Sequence, residues 1–313
     1  MTTETSLPSA PASAAPRTLR IQTIVYRNEP HHVERALEAS ARAVEHAVKA
    51  GALAWAEFAI GDCSPFPVFT EGQIAALEEQ HRAQGLKRVE YRYFDKNLGS
   101  AAGHNRLLMT AQTDLILIQN PDVVSAPNLL VELIAPLSLP GVGQVEARQI
   151  PIEHPKEYDA ATGETSWAAT ACALMPRRVA ERLGGFDEKT FFLYCDDVDF
   201  SWRLRLLGLK VIFQPSACVF HDKRLDQDGS WIAGAAEKYY SAEAALMLAH
   251  KYSRPDLVKQ TLDWFDAHGD DNLKKAAAEY RKRGAEGRLP VPLDPKGHVA
   301  QFIEGHYARH RWY

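Results

Sequence analysis

The sequence lacks the features that mark several common classes of protein. No stretch of apolar residues reaches the ~20 needed to span a bilayer. Residues 1–16, rich in Ala, Ser, Thr and Pro, have neither the basic start nor the continuous apolar core of a secretory signal. We therefore expect residues 1–17 to form a disordered tail.

The chain also has no excess of positive charge. Its 36 Lys and Arg residues are outnumbered by 40 Asp and Glu residues, which gives a net charge of −4. A surface that follows nucleic-acid phosphates normally carries a basic excess, so we expect no nucleic-acid partner. A polyanionic ligand would have to be bound by a local site.

Cysteine is scarce, and its spacing fits neither a metal motif nor a redox motif. The four cysteines, at positions 63, 172, 195 and 218, form no CxxC pair. This pattern favours free thiols in a reducing compartment, and we expect a cytoplasmic protein.

The familiar glycine-rich nucleotide motifs are missing as well. The segment from Asn97 to Asn105 carries Gly99 and Gly103, but it matches neither GxGxxG nor the P-loop. This argues against a dinucleotide-dependent oxidoreductase. Near the amino terminus, Tyr26-Arg27-Asn28-Glu29 does not supply the basic, glycine-rich loop that a nucleotidyltransferase requires.

What the sequence does contain is an alternation of strand and helix patterns. Predicted strands cover residues 19–26, 53–60, 88–94, 115–118, 141–148 and 210–213; predicted helices cover 30–49, 71–84, 98–111, 177–183 and 197–207. This order indicates an α/β fold with a Rossmann-like, mostly parallel central sheet flanked by helices. We assign residues 18–228 to the main domain and residues 229–313 to a C-terminal helical region and tail.

The C-terminal region leaves two questions open. Residues 231–283 have a helical composition, and Pro255 should divide them into at least two helices. The apolar spacing from Ala233 to Leu248 favours packing on the main domain, and contact with a partner subunit in a homo-oligomer is the alternative. Residues 306–313 mix basic and aromatic side chains, which suits either peripheral contact with a membrane surface or a solvated tail.

Three polar segments follow predicted strands, and ligands of such sheets bind beyond the carboxyl ends of the strands. Asp62 either hydrogen-bonds a ligand or closes the turn before Pro65. The segment from Asn97 to Asn105 opens a helix, and the amides at a helix start favour phosphate; close packing of the helix on the sheet is the alternative. The third segment is Asn120-Pro121-Asp122.

Asp122 and His221 are the candidate metal ligands. Asp122 follows a buried strand, where it either coordinates a divalent cation or forms a turn or helix cap. His221 follows an apolar stretch and, taken alone, suits a hydrogen-bonded position in the core or on the surface. Together they would form a mixed oxygen and nitrogen site for Mn²⁺ or Mg²⁺, and the imidazole favours manganese.

The acidic cluster is the most informative feature of the chain. Asp196, Asp197 and Asp199 place three carboxylates within four residues, and such charges repel unless they cap a helix, bind a cation or take up a proton. Asp199 precedes Arg203 by four positions, which predicts an ion pair on a helix. Asp196 and Asp197 lie at the helix start, where each either caps the helix or accepts a proton from a hydroxyl group.

Taken in order, these segments resemble the inverting glycosyltransferases of family 2, especially rhamnosyltransferase-like and galactofuranosyltransferase-like members. The resemblance extends from about Leu19 to His221. Its motifs are Tyr26-Arg27-Asn28-Glu29, Asp62, Asn97-x-Gly99-x-x-x-Gly103-x-Asn105, Asn120-Pro121-Asp122, Gly184-Gly185-Phe186-Asp187-Glu188, Phe192-x-Tyr194-x-Asp196-Asp197-x-Asp199 and His221. Two positions depart from the family pattern: Asn120-Pro121-Asp122 replaces Asp-x-Asp, and Asp196 stands where glutamate is usual.

The resemblance implies an A-type glycosyltransferase fold that binds a nucleoside-diphosphate sugar. It implies that Asp122 holds the donor diphosphate through a cation, that His221 adds a ligand to that cation, and that Asp197, paired with Asp196, is the general base. Trp167 falls where such enzymes shape the pocket, with a core position as the alternative. The candidate donor-binding residues are Tyr26, Arg27, Glu29, Asp62, Asn97, Gly99, Asn105, Asn120 and Trp167.

The implied activity is inverting transfer of a sugar, rhamnose among the candidates, from a dTDP- or UDP-linked donor to a hydroxyl of a glycan or lipid-linked saccharide. This would suit polysaccharide biosynthesis for the cell envelope at the inner face of the membrane. A catalytically silent scaffold that binds nucleotide sugars is the main alternative, and a nucleotidyltransferase is the second. A silent scaffold has no need of mutually repelling carboxylates, which favours the enzyme.

Overall fold

The computed structural model describes residues 17–153, 157–222 and 234–308. Its strands are β1 (Arg17–Val25), β2 (Leu53–Asp62), β3 (Leu86–Tyr93), β4 (Leu115–Gln119), β5 (Val123–Ser125), β6 (Val142–Ile150), β7 (Glu164–Thr165), β8 (Cys172–Pro176) and β9 (Lys210–His221). Its helices are α1 (Pro30–Lys49), α2 (Glu71–His81), α3 (Gly99–Leu108), α4 (Leu129–Ile134), α5 (Arg177–Leu183), α6 (Asp196–Leu206), α7 (Ala235–Lys251), α8 (Pro255–His268) and α9 (Asp271–Ala285). The predicted 1–17 tail lies outside these residues except for Arg17, which begins β1.

The strands form one sheet in the order β3-β2-β1-β4-β8-β6-β9-β5, with β7 added on β9. The first four positions are parallel, and β8 then runs antiparallel to both β4 and β6. Every residue of β4 is buried, as its continuous apolar run predicts for a strand covered on both faces. The predicted α/β fold with a mostly parallel sheet and flanking helices is confirmed.

The course of β9 differs from the prediction of a short strand over 210–213. The strand continues to His221, because its pairing with β6 shifts between Ala147 and Arg148 and resumes at Cys218. Pro215 and Ser216 occupy this irregularity and are exposed, so the apolar pattern is interrupted although the strand is not. The extra length carries His221 to the edge of the sheet.

The C-terminal helices share a core with the main domain. Met247, Leu248 and Tyr252, from α7 and the residue after it, pack in one buried cluster with Trp167 and Trp202. The interpretation that this region packs on the main domain is therefore confirmed for α7. Pro255 does begin a new helix, and the three helices within residues 234–308 agree with the prediction of at least two.

The proposed boundary between residues 228 and 229 falls in 223–233, outside the described residues. The basic and aromatic stretch is described only as far as residue 308. Among the described residues, no helix combines the length and the apolar character needed to cross a bilayer.

The start of α3 is held against the acidic segment at Gly99. The residue has a φ of +72°, and a Cβ atom there would lie 2.2 Å from the carbonyl oxygen of Phe192. The same oxygen accepts a hydrogen bond from the Ser100 amide at 2.9 Å. Only glycine allows this approach, so two segments far apart in the sequence meet through their backbones.

Gly99→Ala is expected to lower the free energy of unfolding by about 2–5 kcal/mol, because it combines an unfavourable φ with a backbone clash. The matched control is Gly141→Ala, where φ is +80° but no atom lies within 4 Å of the new Cβ. That control should lose only about 1 kcal/mol. Urea denaturation measures both changes, and equal losses would show that the approach of Phe192 imposes no constraint.

Candidate active site

The two candidate metal ligands are neighbours at the edge of the sheet. Strand β5 pairs antiparallel with the end of β9, so that Val123 lies opposite His221. This pairing places Asp122 Oδ1 3.3 Å from His221 Nε2. The Asn120 side chain completes the group, with Nδ2 at 3.3 Å from the same imidazole nitrogen.

The imidazole of His221 is oriented for a ligand at Nε2. Its Nδ1 atom lies 2.7 Å from Gln149 Oε1, and since a carboxamide oxygen only accepts, Nδ1 carries the proton. The lone pair of Nε2 then faces Asp122, whose carboxylate also has only acceptors. Two acceptors at this separation favour a cation between them.

The donor set fits a divalent cation as a partial site. Within the described ranges, no group of three or more His, Cys, Asp and Glu side chains is placed to hold a metal. Asp122 and His221 supply one oxygen and one nitrogen, and Asn120 offers a carboxamide oxygen if its side chain turns over. Such a site would leave positions for the oxygens of a bound ligand.

The acidic pair lies at the start of α6, after two residues in the left-handed region. Tyr194 and Cys195 have φ values of 66° and 55°, a conformation that is uncommon for residues other than glycine and that clusters at functional sites. Cys195 is the N-cap residue, so Asp196 and Asp197 are the first two residues of the helix.

Asp196 and Asp197 differ in their environment. Asp196 is buried and accepts a hydrogen bond from Ser100 Oγ at 2.9 Å. Burial, followed by the charge of Asp197, raises the pKa of Asp196 to about 7. Asp197 is only half-buried, and its Oδ1 atom accepts a hydrogen bond from the Val198 amide at 2.8 Å. The helical period did not distinguish the two residues, but their burial does.

One short segment contacts both the acidic pair and the metal-ligand group. The Thr170 amide lies 3.4 Å from Asp197 Oδ2, and the Ala171 carbonyl accepts a hydrogen bond from the Asn120 amide at 3.0 Å. Residues 170 and 171 therefore connect the base candidate to the ligand candidates. The two groups were 75 residues apart at Asp122 and Asp197, and the fold brings them to one crevice.

The first strand ends at the same crevice. Tyr26 and Arg27 are exposed just beyond β1, with the Arg27 guanidinium 5.3 Å from the centre of the Tyr26 ring. The Arg27 amide donates a hydrogen bond to Ser64 Oγ at 2.8 Å. Glu29, the exposed residue before α1, is the N-cap of that helix but makes no side-chain cap. All three are accessible to a ligand, and their contact with a donor stays a prediction.

Asp62 closes the turn that follows β2. It is fully buried, and its two oxygens accept hydrogen bonds from the amides of Ser64 and Val68, both at 2.8 Å, and from the Tyr91 hydroxyl. These bonds and the burial favour the alternative in which Asp62 closes the turn, and its contact with a nucleobase stays a prediction.

The segment from Asn97 to Asn105 also serves packing. Asn97 Oδ1 accepts from the Gly99 amide at 3.2 Å, and the Ser100 amide is bound to Phe192, so these amides are not available to a phosphate. The Asn105 carboxamide accepts from the Phe186 amide at 2.8 Å and donates to Glu188 at 2.7 Å. These contacts favour the packing alternative for the segment, and the donor contacts of Asn97, Gly99 and Asn105 stay predictions.

Trp167 lies in the core. The side chain is 4% exposed, and its ring centre is 6.0 Å from that of Tyr307. It belongs to the cluster shared with α7. The contact with Tyr307 favours the core alternative for Trp167, and its role in shaping a pocket stays a prediction.

The remaining member of the acidic cluster is bound by cations. Asp199 is fully buried, and Arg203 Nε lies 2.7 Å from its Oδ2 atom, as the spacing on the helix predicts. Lys251, which sequence reasoning did not single out, lies 2.6 Å from Oδ1. Nothing in the sequence pattern indicates this contact, since Lys251 ends a helix 52 residues further along the chain.

Gln149 and Ser100 were also missed. The sequence offers a signal for Gln149, because strand β6 is buried yet carries Gln144, Glu146 and Gln149. Polar side chains in a buried strand need partners, and such partners are often functional groups. Ser100 gives no comparable signal.

A cavity of about 670 Å³ lies beside Gly184, Gly185 and Arg106, and none of Asp122, Asp197 and His221 lines it. Several of the charged side chains that line it are engaged in ion pairs, such as Arg106 with Glu188 and Arg203 with Asp199. The candidate site is instead an open crevice at the carboxyl ends of β1 and β4.

Two solved structures with a similar arrangement of strands and helices are glycosyltransferases. A mannosyltransferase of Pyrobaculum calidifontis in complex with GDP-Man and Mn²⁺ superimposes with a TM-score of 0.53 over 87% of this chain and 76% of its own, at 16% identity. GalNAc-T7 with UDP, GalNAc and Mn²⁺ gives a TM-score of 0.62 over 91% of this chain and 57% of its own, at 12% identity. The chain has the A-type glycosyltransferase fold.

Curated relatives confirm the resemblance to glycosyltransferases that the motifs indicate. An N-acetylglucosaminyl-diphospho-decaprenol L-rhamnosyltransferase of Mycobacterium tuberculosis is 40% identical over 57 residues, 18% of each chain. A pre-mycofactocin glycosyltransferase of the same organism is 27% identical over 211 residues, 61% of this chain and 44% of the relative. The matches therefore span less than half of either relative. No protein-family model matches the chain.

Asp196→Asn is expected to change how stability depends on pH. A carboxyl with a pKa of about 7 in the folded protein and near 4 in the unfolded chain holds a proton only in the folded state between these values. Wild-type stability therefore falls as pH rises from about 4 to 7, whereas an asparagine loses nothing.

Urea denaturation at pH 5 and pH 8 measures this difference. The advantage of Asp196→Asn over the wild type should grow by about 1–3 kcal/mol between the two pH values. An advantage that does not change with pH would show that Asp196 ionises normally.

Proposed function

We propose that the protein is an inverting glycosyltransferase of the family 2 type, which moves a sugar from a nucleoside-diphosphate donor to an acceptor hydroxyl. The observation that carries the proposal is the contact of one segment, Thr170-Ala171, with both Asp197 and Asn120. It supports a site in which a base and a diphosphate-binding group serve the same bound donor. The fold and the glycosyltransferase relatives support the same reaction class.

Asp197 is the proposed general base. It is the more exposed member of the pair, and the neighbouring Asp196 is the member that burial favours in its protonated form. In the reaction, Asp197 takes the proton of the acceptor hydroxyl while that oxygen forms a bond to the anomeric carbon. The bond from this carbon to the diphosphate oxygen breaks, and the nucleoside diphosphate leaves with the electron pair. Attack from the face opposite the leaving group gives inversion.

Asp122 and His221 would hold the divalent cation, with Gln149 fixing the imidazole. When bound, Mn²⁺ or Mg²⁺ would neutralise negative charge on the departing diphosphate. The two solved neighbours contain Mn²⁺, and the imidazole ligand also favours manganese. Asn120 is placed to contact either the cation or the donor.

The nucleotide would lie beyond the carboxyl end of β1, where Tyr26, Arg27 and Glu29 are exposed. The rhamnosyltransferase named among the relatives makes a dTDP- or UDP-linked deoxysugar a reasonable first donor to test, and a glycan or lipid-linked saccharide a reasonable acceptor. Transfer to such an acceptor would place the protein at the cytoplasmic face of the membrane, where it would serve cell-envelope polysaccharide synthesis.

Asp197→Asn should lower kcat for transfer by about 10²–10⁴-fold and leave donor affinity within about twofold, since a general base acts in the transition state. Steady-state rates with calorimetric donor titration test this. Asp263→Asn, on the exposed face of α8, is the control and should keep the wild-type rate. A weakened donor affinity without loss of kcat would assign Asp197 to binding instead.

Asp122→Ala and His221→Ala should each weaken Mn²⁺ binding by at least about tenfold, because each removes a direct ligand. Electron paramagnetic resonance of free Mn²⁺ measures this without any sugar transfer. Asp222→Ala is the control, since that carboxylate is next in sequence but pairs with Arg35 at 2.6 Å. Unchanged Mn²⁺ binding in both ligand variants would overturn the metal site.

A further inference from the structure

The C-terminal region contributes a buried cation to the acidic segment. Lys251, the last residue of α7, has a side chain that is only 6% exposed. Its Nζ atom lies 2.6 Å from Asp199 Oδ1 and 2.7 Å from Asp187 Oδ2. Lysine is rarely buried unless it is paired. A buried ion pair also requires good geometry, because its attraction must offset the hydration that the charges lose.

The two carboxylates belong to two motifs of the main domain. Asp187 lies in the turn after α5, where its other oxygen, Oδ1, accepts from the Thr190 amide at 3.2 Å. Asp199 lies in the first turn of α6, two residues after Asp197. Although burial alone would raise it, hydrogen bonds from Lys251 and Thr190 hold the pKa of Asp187 below its ordinary value. Lys251 therefore bridges two carboxyl groups and joins α7 to the turn and to α6.

Further contacts make this bridge rigid. The Tyr252 hydroxyl lies 3.1 Å from Asp199 Oδ1. Arg203, on the other oxygen of Asp199, donates to the carbonyls of Leu183 and Gly185, both at 2.9 Å. The Lys251 ammonium is also 5.5 Å from the centre of the Phe191 ring. The first turn of α6 is thus held from the side of α5 by Arg203 and from the side of α7 by Lys251.

The charges explain why both cations matter to Asp197. Asp196, Asp197 and Asp199 share one helical turn, and like charges in one turn push the turn apart. Pairing Asp199 with Arg203 and Lys251 offsets one of the three negative charges in this turn. Without Lys251, Arg203 would be the remaining cation beside the buried Asp199. Asp187 would lose its ion pair and keep its hydrogen bond from Thr190.

We propose that Lys251 is a positioning residue, which sets the direction of Asp197 by fixing the first turn of α6. This inference rests on the proposed role of Asp197. It makes the C-terminal helices a part of the active site rather than an appendage, although Lys251 is proposed neither as the base nor as a ligand of the divalent cation.

Lys251→Met tests the proposal, because methionine keeps much of the volume and removes the charge. Arg283→Met is the matched control. Arg283 is a partly buried cation of the C-terminal region, and its hydrogen bonds go to Glu243, Glu279 and the Thr190 carbonyl rather than to α6. Both variants should lose stability, so rates are compared below the lower melting temperature.

Lys251→Met should lower kcat by at least about tenfold with donor KM unchanged, and Arg283→Met should keep kcat within about twofold. Adding Asp187→Asn to Lys251→Met should recover stability, since it removes a partly buried carboxylate that has lost its cation, but should not restore kcat. Equal losses of kcat in Lys251→Met and Arg283→Met, or recovery of kcat in the double variant, would overturn the positioning role.

Hydrogen exchange provides a readout that needs no activity. In Lys251→Met, amides 196–200 should exchange at least about tenfold faster than in the wild type, while Arg283→Met should leave them unchanged. If the wild type transfers no sugar, the proposed function fails, yet this result still decides whether Lys251 fixes the turn. Unchanged exchange in Lys251→Met would overturn the inference alone.

Discussion

The crowding of carboxylates in the first turn of α6 is the constraint on which the site depends. The structure meets it in a different way for each residue. Asp199 is buried between Arg203 and Lys251. Asp196 is buried beside Ser100, and burial favours its protonated form. Asp197 alone remains half-exposed at the crevice. Three identical side chains therefore have three different environments within one helical turn.

The mixed sheet supplies the second half of the site. Parallel strands β1 and β4 bring their carboxyl ends to one edge, and β5, paired with the end of β9, adds Asp122 and His221 beside them. Strand β8 runs antiparallel between β4 and β6, so the segment that enters it can reach both Asn120 and Asp197. Backbone pairing, rather than side-chain attraction, places the ligand candidates next to the base.

Much of the fold could be predicted from the sequence, because local patterns determine it. The buried strand β4, the helix that begins at Pro255 and the ion pair of Asp199 with Arg203 all follow from spacing over a few residues. Strand β9 was predicted too short because Pro215 and Ser216 lie in an irregularity that only pairing with β6 explains. The part of β9 that was not predicted carries His221.

The roles of single site residues were harder to predict, since they depend on partners far along the chain. Asp62 is occupied by Tyr91, Asn105 by Phe186 and Glu188, and Trp167 by the C-terminal cluster. In each case a motif residue that suits a ligand also has partners within the protein. Lys251 shows the converse, because an unremarkable helical lysine completes the acidic segment.

The most direct test of the account is the release of nucleoside diphosphate from a panel of nucleotide sugars, with Mn²⁺ and with a chelator. Glycosyl transfer at this site predicts slow release from the sugars of one nucleotide family, and only when the cation is present. If no nucleotide sugar is hydrolysed and none raises the melting temperature under either condition, glycosyl transfer at this site is contradicted.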